Sequence, residues 1–291
     1  MIIDFRVTVP LNEYMERLPT EESIMRESTR SDGGYARVYK EKMVEDYRLS
    51  LDAMLKSMET GGVEKAVLQA EYNGSDDYRK INEAAIRITE KYPDKFPACF
   101  MCLNPQTNDD MVKVVERGAK DHGFRGINLQ AWAVRVSTTD SRFWPVYDLC
   151  QKMDLIVTIH SSISFNVDRS LYYSHVSHLD KIACDFPNLK LVANHGGWPW
   201  VLEMIAIAWK HPNVYIELGG VSPKYFGTPG SGWEPLMQYG NSLLQNQVLF
   251  ATDCMLPHKR CVDEVKDLSL KEEVKRKWLG ENAARLLQLD K

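Results

Sequence analysis

The strongest constraint on this chain is its rhythm. Eight short apolar runs recur, each followed by an amphipathic stretch. The runs are Ile2–Val7, Lys65–Gln69, Ala98–Leu103, Gly126–Leu129, Leu155–His160, Leu189–Asn194, Val214–Leu218 and Val248–Ala251. They are short and rich in Val, Ile, Leu, Phe and Tyr, as strands buried on both faces should be. Helical patterns lie between them: Val44–Met58, Asp76–Lys91, Asp109–Asp121, Trp144–Lys152, Val176–Asp185, Trp200–His211, Glu234–Gln245 and a last stretch through Leu287. Alternation of this kind implies parallel strands, because a parallel return needs a long crossover. Eight units predict one (β/α)8 TIM barrel over residues 1–291. A doubly wound sheet is the alternative, but no glycine-rich phosphate loop follows the first run. Residues 10–43 interrupt the rhythm and predict an inserted loop on the face where barrel active sites form.

Composition narrows the classes. Hydrophobic residues make up 44% of the chain, enough to exclude disorder. No apolar stretch approaches the roughly 20 residues of a membrane span. Forty acidic against 36 basic residues argue against a nucleic-acid partner. The chain shows no secretory signal pattern, and its six cysteines sit mostly inside apolar runs, so we expect a cytoplasmic protein with free thiols. Cys99 and Cys102 have redox spacing but fall on one strand, where positions three apart face opposite sides.

In a barrel, chemistry gathers where strands end. The polar residues there are Arg6 and Thr8; Gln69 and Glu71; Asn104; Asn128 and Gln130; His160; Asn194 and His195; Glu217; and Asp253. His160, His195 and Asp253 each terminate a strand, and barrel closure would bring them to one cup. Imidazole binds metal or moves protons near neutral pH, and a carboxylate can serve as base. Arg6 is suited to a bidentate grip on a substrate carboxylate, with Thr8, Glu71, Asn128, Trp132 and Trp198 as further substrate contacts. The competing reading of Arg6 is an ion pair with Asp4 or Asp253. Tyr72, Phe165 and Trp200 are aromatic residues near the same strand ends. Arg30, Arg37, Arg135 and His258 are further basic candidates.

The stretches Leu155-Ile-Val-Thr-Ile-His160, Phe186-Pro-Asn-Leu-Lys-Leu-Val-Ala-Asn-His195-Gly-Gly-Trp-Pro-Trp200, His211-Pro-Asn-Val-Tyr-Ile-Glu217, Val248-Leu-Phe-Ala-Thr-Asp253 and Glu281-Asn-Ala-Ala-Arg-Leu-Leu287 resemble the amidohydrolase superfamily. The resemblance is to its aminocarboxymuconate semialdehyde decarboxylase-like branch. It implies that His160 is a metal ligand, that His195 contacts substrate or water, and that Asp253 binds metal and passes protons. The first strand departs from the pattern: Arg6 and Thr8 stand where the family has a His-x-His pair. Arginine is cationic at all relevant pH and repels a divalent ion. His160 and Asp253 remain as ligands for zinc or manganese, if either is held, and Glu71, Glu217, Cys254 or His195 could complete the set.

The superfamily includes a metal-independent lactonase branch. The expectation is therefore a hydrolase of a small carboxylate-bearing ester or lactone, with Asp253 activating water and His195 assisting the oxyanion. The alternatives are a decarboxylase (a carboxy-lyase) of a small aromatic or muconate-like acid, and a binding protein whose site has decayed. The expected partners are a small-molecule substrate and further copies of the chain.

Overall fold

A computed structural model describes residues 1–18, 46–74, 76–164, 166 and 168–289. Most of the expected loop at 10–43 lies outside them, as do Arg30, Arg37 and Phe165. Eight parallel strands pair in sequence order: β1 (Ile3–Thr8), β2 (Lys65–Gln69), β3 (Ala98–Cys102), β4 (Gly126–Leu129), β5 (Ile156–His160), β6 (Lys190–Asn194), β7 (Val214–Glu217) and β8 (Val248–Leu249). The ring closes where the Phe5 amide donates to the Phe250 carbonyl at 2.9 Å and the Asp253 amide to the Arg6 carbonyl at 3.0 Å. The fold is a (β/α)8 TIM barrel.

Each strand is followed by a helix. These are α1 (Leu51–Thr60), α2 (Tyr78–Lys91), α3 (Met111–His122), α4 (Trp144–Lys152), α5 (Ser177–Asp185), α6 (Val201–Lys210), α7 (Glu234–Gly240) and α8 (His258–Asp267). Local chemistry sets their ends. Asp77 caps α2 by accepting from the Arg79 amide, Asp110 caps α3 by accepting from the Lys113 amide, and Gly123 ends α3 in the left-handed region. The pattern predicts a helix to Gln245, but α7 stops at Gly240. The Tyr239 carbonyl turns back to accept from the Ser242 and Leu244 amides, and Gly, Asn and Ser there favour turns over helix. No helix among the described residues is long and apolar enough to cross a membrane.

The barrel interior is layered. Ile3, Phe5, Val67, Ala98, Phe100, Ile156, Val192 and Leu249 form an apolar lower layer. Gly126 is required in this layer: a Cβ there would lie 2.3 Å from the Ile156 carbonyl oxygen. The final helix, α9 (Asn282–Leu286), supplies Ala283, Ala284 and Leu286 as the floor. Asn282 fastens that floor by donating to the Val248 carbonyl at 2.7 Å and the Gln245 carbonyl at 2.9 Å. The register between β1 and β2 shifts between Asp4 and Val7. That irregularity lets Phe5 and Arg6 both reach the interior, although neighbours on a regular strand face opposite ways.

Asn282→Leu leaves buried carbonyls unpaired. We expect a stability loss of about 1–3 kcal/mol in urea unfolding. An unchanged midpoint would show that the floor is held by apolar packing alone.

Candidate functional site

Above the apolar layer lies a buried polar one: Gln69 from β2, Asn128 from β4, Thr158 from β5, Asn194 from β6 and Glu217 from β7. Arg6 occupies its centre and is 1% exposed. Its Nη1 donates to Gln69 Oε1 at 2.9 Å and Asn128 Oδ1 at 3.4 Å. Asn194 accepts from the same Nη1 at 3.0 Å and donates to Glu217 Oε2 at 3.3 Å. Above the layer, Nε donates to Asp253 Oδ1 at 2.6 Å and Nη2 to Glu71 Oε2 at 2.5 Å. Arg6 is thus held by the protein's own acceptors. The expected grip on a substrate carboxylate gives way to the ion pair with Asp253, because carboxylates that follow two other strands, Glu71 after β2 and Asp253 after β8, already take the fork. Burial opposes the Arg6 charge, but Asp253 and Glu71 outweigh it and keep the guanidinium ionised.

His160, His195 and Asp253 do share one hollow. The two imidazole centroids are 4.8 Å apart, edge to face, and His195 Nδ1 lies 3.9 Å from Asp253 Oδ2. His195 Nδ1 is also 2.9 Å from the Gly219 carbonyl. A carbonyl only accepts, so Nδ1 carries the proton and Nε2 the lone pair. His160 Nδ1 meets Ser174 Oγ at 2.9 Å, and the Trp132 indole stands edge-on to His160 at 5.9 Å.

The backbone here is unusual. His195, Asp253 and Cys254 have φ of 65°, 58° and 54°, and Gly196 and Gly197 continue the left-handed path after His195. Such conformations cost non-glycine residues about 1–3 kcal/mol each and cluster at functional sites. Asp4 braces the β8 end. Its carboxylate accepts from the Thr252 hydroxyl at 2.5 Å, the Thr252 amide at 3.2 Å and the Arg6 amide at 2.9 Å.

Burial lowers the pKa of both histidines. The neighbouring imidazole and Arg6 lower His160 further, while for His195 the pull of Asp253 only partly offsets burial. Both rings are therefore neutral at pH 7. Burial pushes the Asp253 carboxyl up, but Arg6, His195 and Arg48 prevail and hold it below its ordinary range. Burial drives Glu217 the other way, up to about 8 against the opposing charge of Arg6. Glu217 accepts from the Gly219 amide, whose carbonyl holds His195.

Other expected site residues take structural places. Asn128 is buried beneath Arg6 and donates to the Ala70 carbonyl at 2.9 Å, so it is a strut and not a substrate contact. Thr8 is buried against the Cys254 thiol. The Trp198 indole donates to the Ser231 carbonyl at 3.2 Å, half-buried against the core. Tyr72 is a buried core ring and Trp200 packs on His175. Arg135 pairs with Asp168 on the surface, and His258 is buried between Asp4 and Ser57. Glu71 and Trp132 stay beside the hollow. Sequence reasoning noted Gln69 and Asn194 at strand ends but gave them no place in the site, and considered Glu217 only as a further metal ligand; Ser174 and Gly219 it missed. An acid inside the apolar run Val214–Leu218 was the one signal available.

The expected metal site on His160 and Asp253 does not fit. Arg6 sits 2.6 Å from a would-be ligand oxygen. A unit charge about 4 Å away costs ~4 kcal/mol at an effective dielectric of about 20, and a dication roughly doubles that. Among the described residues, the only grouping of three donor side chains at ligating separation lies elsewhere.

A family model described as "Amidohydrolase" matches residues 3–289. The chain belongs to the amidohydrolase family. An uncharacterised TIM-barrel protein from Bordetella bronchiseptica is similar at 25% identity and a TM-score of 0.78, covering 99% of this chain and 98% of the other. A 5-carboxyvanillate decarboxylase from Novosphingobium aromaticivorans, holding manganese and a nitrobenzoic acid, shares the fold at 18% identity and a TM-score of 0.70, covering 99% and 96%. A 4-oxalomesaconate hydratase from Rhodopseudomonas palustris does so at 19% and 0.66, covering 100% and 97%. Comparison with curated proteins gives no match. In this family member the Arg6 guanidinium lies beside Asp253 and Glu71.

Two outcomes follow for the charged layer. Arg6→Met leaves two carboxylates without their partner, and we expect a loss of about 3 kcal/mol in urea unfolding at pH 7. Asp253 has a lowered folded pKa, so its share of that stability is present above the ordinary carboxylate range and fades on acidification through it. The variant's deficit should therefore shrink toward pH 3. Glu217 behaves oppositely. Between about 4.5 and about 8 the folded state holds a proton that the unfolded chain has lost, so its contribution falls as pH rises through that window. Glu217→Gln should flatten this slope; a slope identical to that of the native chain would refute the protonated reading.

Proposed function

We propose that this amidohydrolase-family barrel is a metal-independent hydrolase of a small, uncharged ester or lactone. The observation that carries the reading is the state of His195. Its Nδ1 proton is given to the Gly219 carbonyl, an ionised Asp253 lies behind it, and Nε2 is left basic. The base is thus His195 rather than Asp253, whose proton affinity Arg6 suppresses.

His195 Nε2 takes a proton from water as the water oxygen bonds to the substrate carbonyl carbon. Asp253 stabilises the imidazolium that forms. With the Ser174 hydroxyl donating to Nδ1, His160 carries its proton on Nε2 and donates to the developing oxyanion. When the tetrahedral intermediate collapses, the carbon–oxygen bond to the leaving group breaks and His195 returns its proton to the departing alkoxide. An activated ester or lactone needs less electrophilic assistance than an amide. Asp253 and Glu71 together outweigh Arg6, so a neutral substrate suits the cup better than the carboxylate expected from sequence.

Decarboxylation of an aromatic acid is the second reading, favoured by the similarity to 5-carboxyvanillate decarboxylase and by Trp132 beside His160. It would need a proton donor at the ring carbon, and Asp253 is held ionised.

The test is a panel of lactones, esters and hydroxylated benzoates assayed with and without chelator. We expect ester or lactone hydrolysis that survives the chelator and falls about 10²–10⁴-fold in kcat for His195→Asn. Because the folded pKa of His195 is lowered, kcat/KM should stay level from neutral pH downward and decline only below the ordinary histidine range. Carbon dioxide release from the benzoates with no hydrolysis, or hydrolysis abolished by the chelator, would overturn the reading.

A further inference from the structure

A second cluster lies on the outer wall, away from the cup. Asp180 and Cys184 sit one turn apart on α5, so both side chains emerge on the same face. His211 follows the last turn of α6 and presents its imidazole to them. Strands begin where these helices end, so the cluster is at the end of the barrel opposite the catalytic hollow.

We propose that Asp180, Cys184 and His211 bind a thiolate-preferring divalent cation of the zinc type. The three donor atoms all lie within 4.8 Å of one another. His211 Nε2 is 2.8 Å from Asp180 Oδ1 and 4.0 Å from Cys184 Sγ. Tetrahedral bonds of zinc length place neighbouring donors roughly 3.3–3.6 Å apart, so each of the two His211 separations needs a change of roughly half an ångström, within reach of side-chain rotation. One sulfur, one nitrogen and one oxygen leave a fourth position for water.

The set also has the right rigidity. His211 is nearly buried, and its backbone is tied at both sides, to Ile207 and to Val214. Of the six cysteines, Cys184 alone is exposed. The cluster already attracts a cation: Lys210 Nζ sits 2.7 Å from Asp180 Oδ1 and 3.7 Å from Cys184 Sγ. Its long stem is largely exposed, so a dication can displace it without unpacking the core. Sulfur and imidazole together favour zinc over magnesium or calcium, which take oxygen donors.

The experiment uses the full chain stripped with chelator and titrated with cobalt(II), then zinc(II). We expect one equivalent of cobalt to produce thiolate-to-metal charge-transfer absorption, and one equivalent of zinc to protect the single reactive thiol from a disulfide reagent. Cys184→Ser should abolish both signals and His211→Asn should weaken binding at least tenfold. Lys210→Ala should tighten it several-fold by removing the resident cation. Absence of the absorption at large cobalt excess, or its persistence in Cys184→Ser, would overturn the proposal. These readouts do not involve turnover, so they stand apart from the hydrolase assay.

Discussion

The structure turns on one buried cation. Arg6 spans the barrel, touching residues from β2, β4 and β6 and the acid that follows β8. Taking a guanidinium out of water is costly unless nearly every donor finds an acceptor and the charge is matched. Two carboxylates match it, and a layer of amides meets its other donors. This explains the polar belt inside an otherwise apolar core. It also explains the electrostatics of the site, because the same charge holds Asp253 ionised and helps keep both imidazoles neutral.

The consequence for chemistry is a division of labour among acids in one small volume. Asp253 stays charged beside Arg6, while Glu217, one strand away and more deeply enclosed, keeps its proton to about pH 8. Environments that push two carboxyl groups apart in this way commonly separate their roles. Here the neutral acid joins the Gly219 turn that fixes His195, and the charged one faces the imidazole directly. The left-handed backbone at His195 and Asp253 is sustained by these contacts and by the Asp4 brace on Thr252. Rigid placement of this kind lowers the reorganisation needed when charge develops.

Much of this was legible in the residues. The period of apolar runs gave eight strands within a residue or two of their observed ends, since short β-branched runs between helical patterns have few other uses. His160, His195 and Asp253 stood out because titratable groups rarely terminate apolar strands without cause. The stretch at 10–43 carried no periodicity to read. Arg6 was the harder case: an arginine at a strand end looks the same in sequence whether its fork meets a substrate or Glu71 and Asp253. Asn128 and Thr8 were misplaced for a related reason, since spacing says which face a residue takes but not how deep in the layer it lies.

The residues by themselves determined the barrel, the order of its strands and the loss of the first-strand imidazoles. Those properties depend on local period and residue type. Only the tertiary structure decided what stands in their place. The partners of Arg6, the tautomer of His195, the protonation of Glu217 and the meeting of Cys184 with His211 all arise from contacts between segments far apart in the chain, and distances across a closed barrel are set by packing that no local pattern encodes.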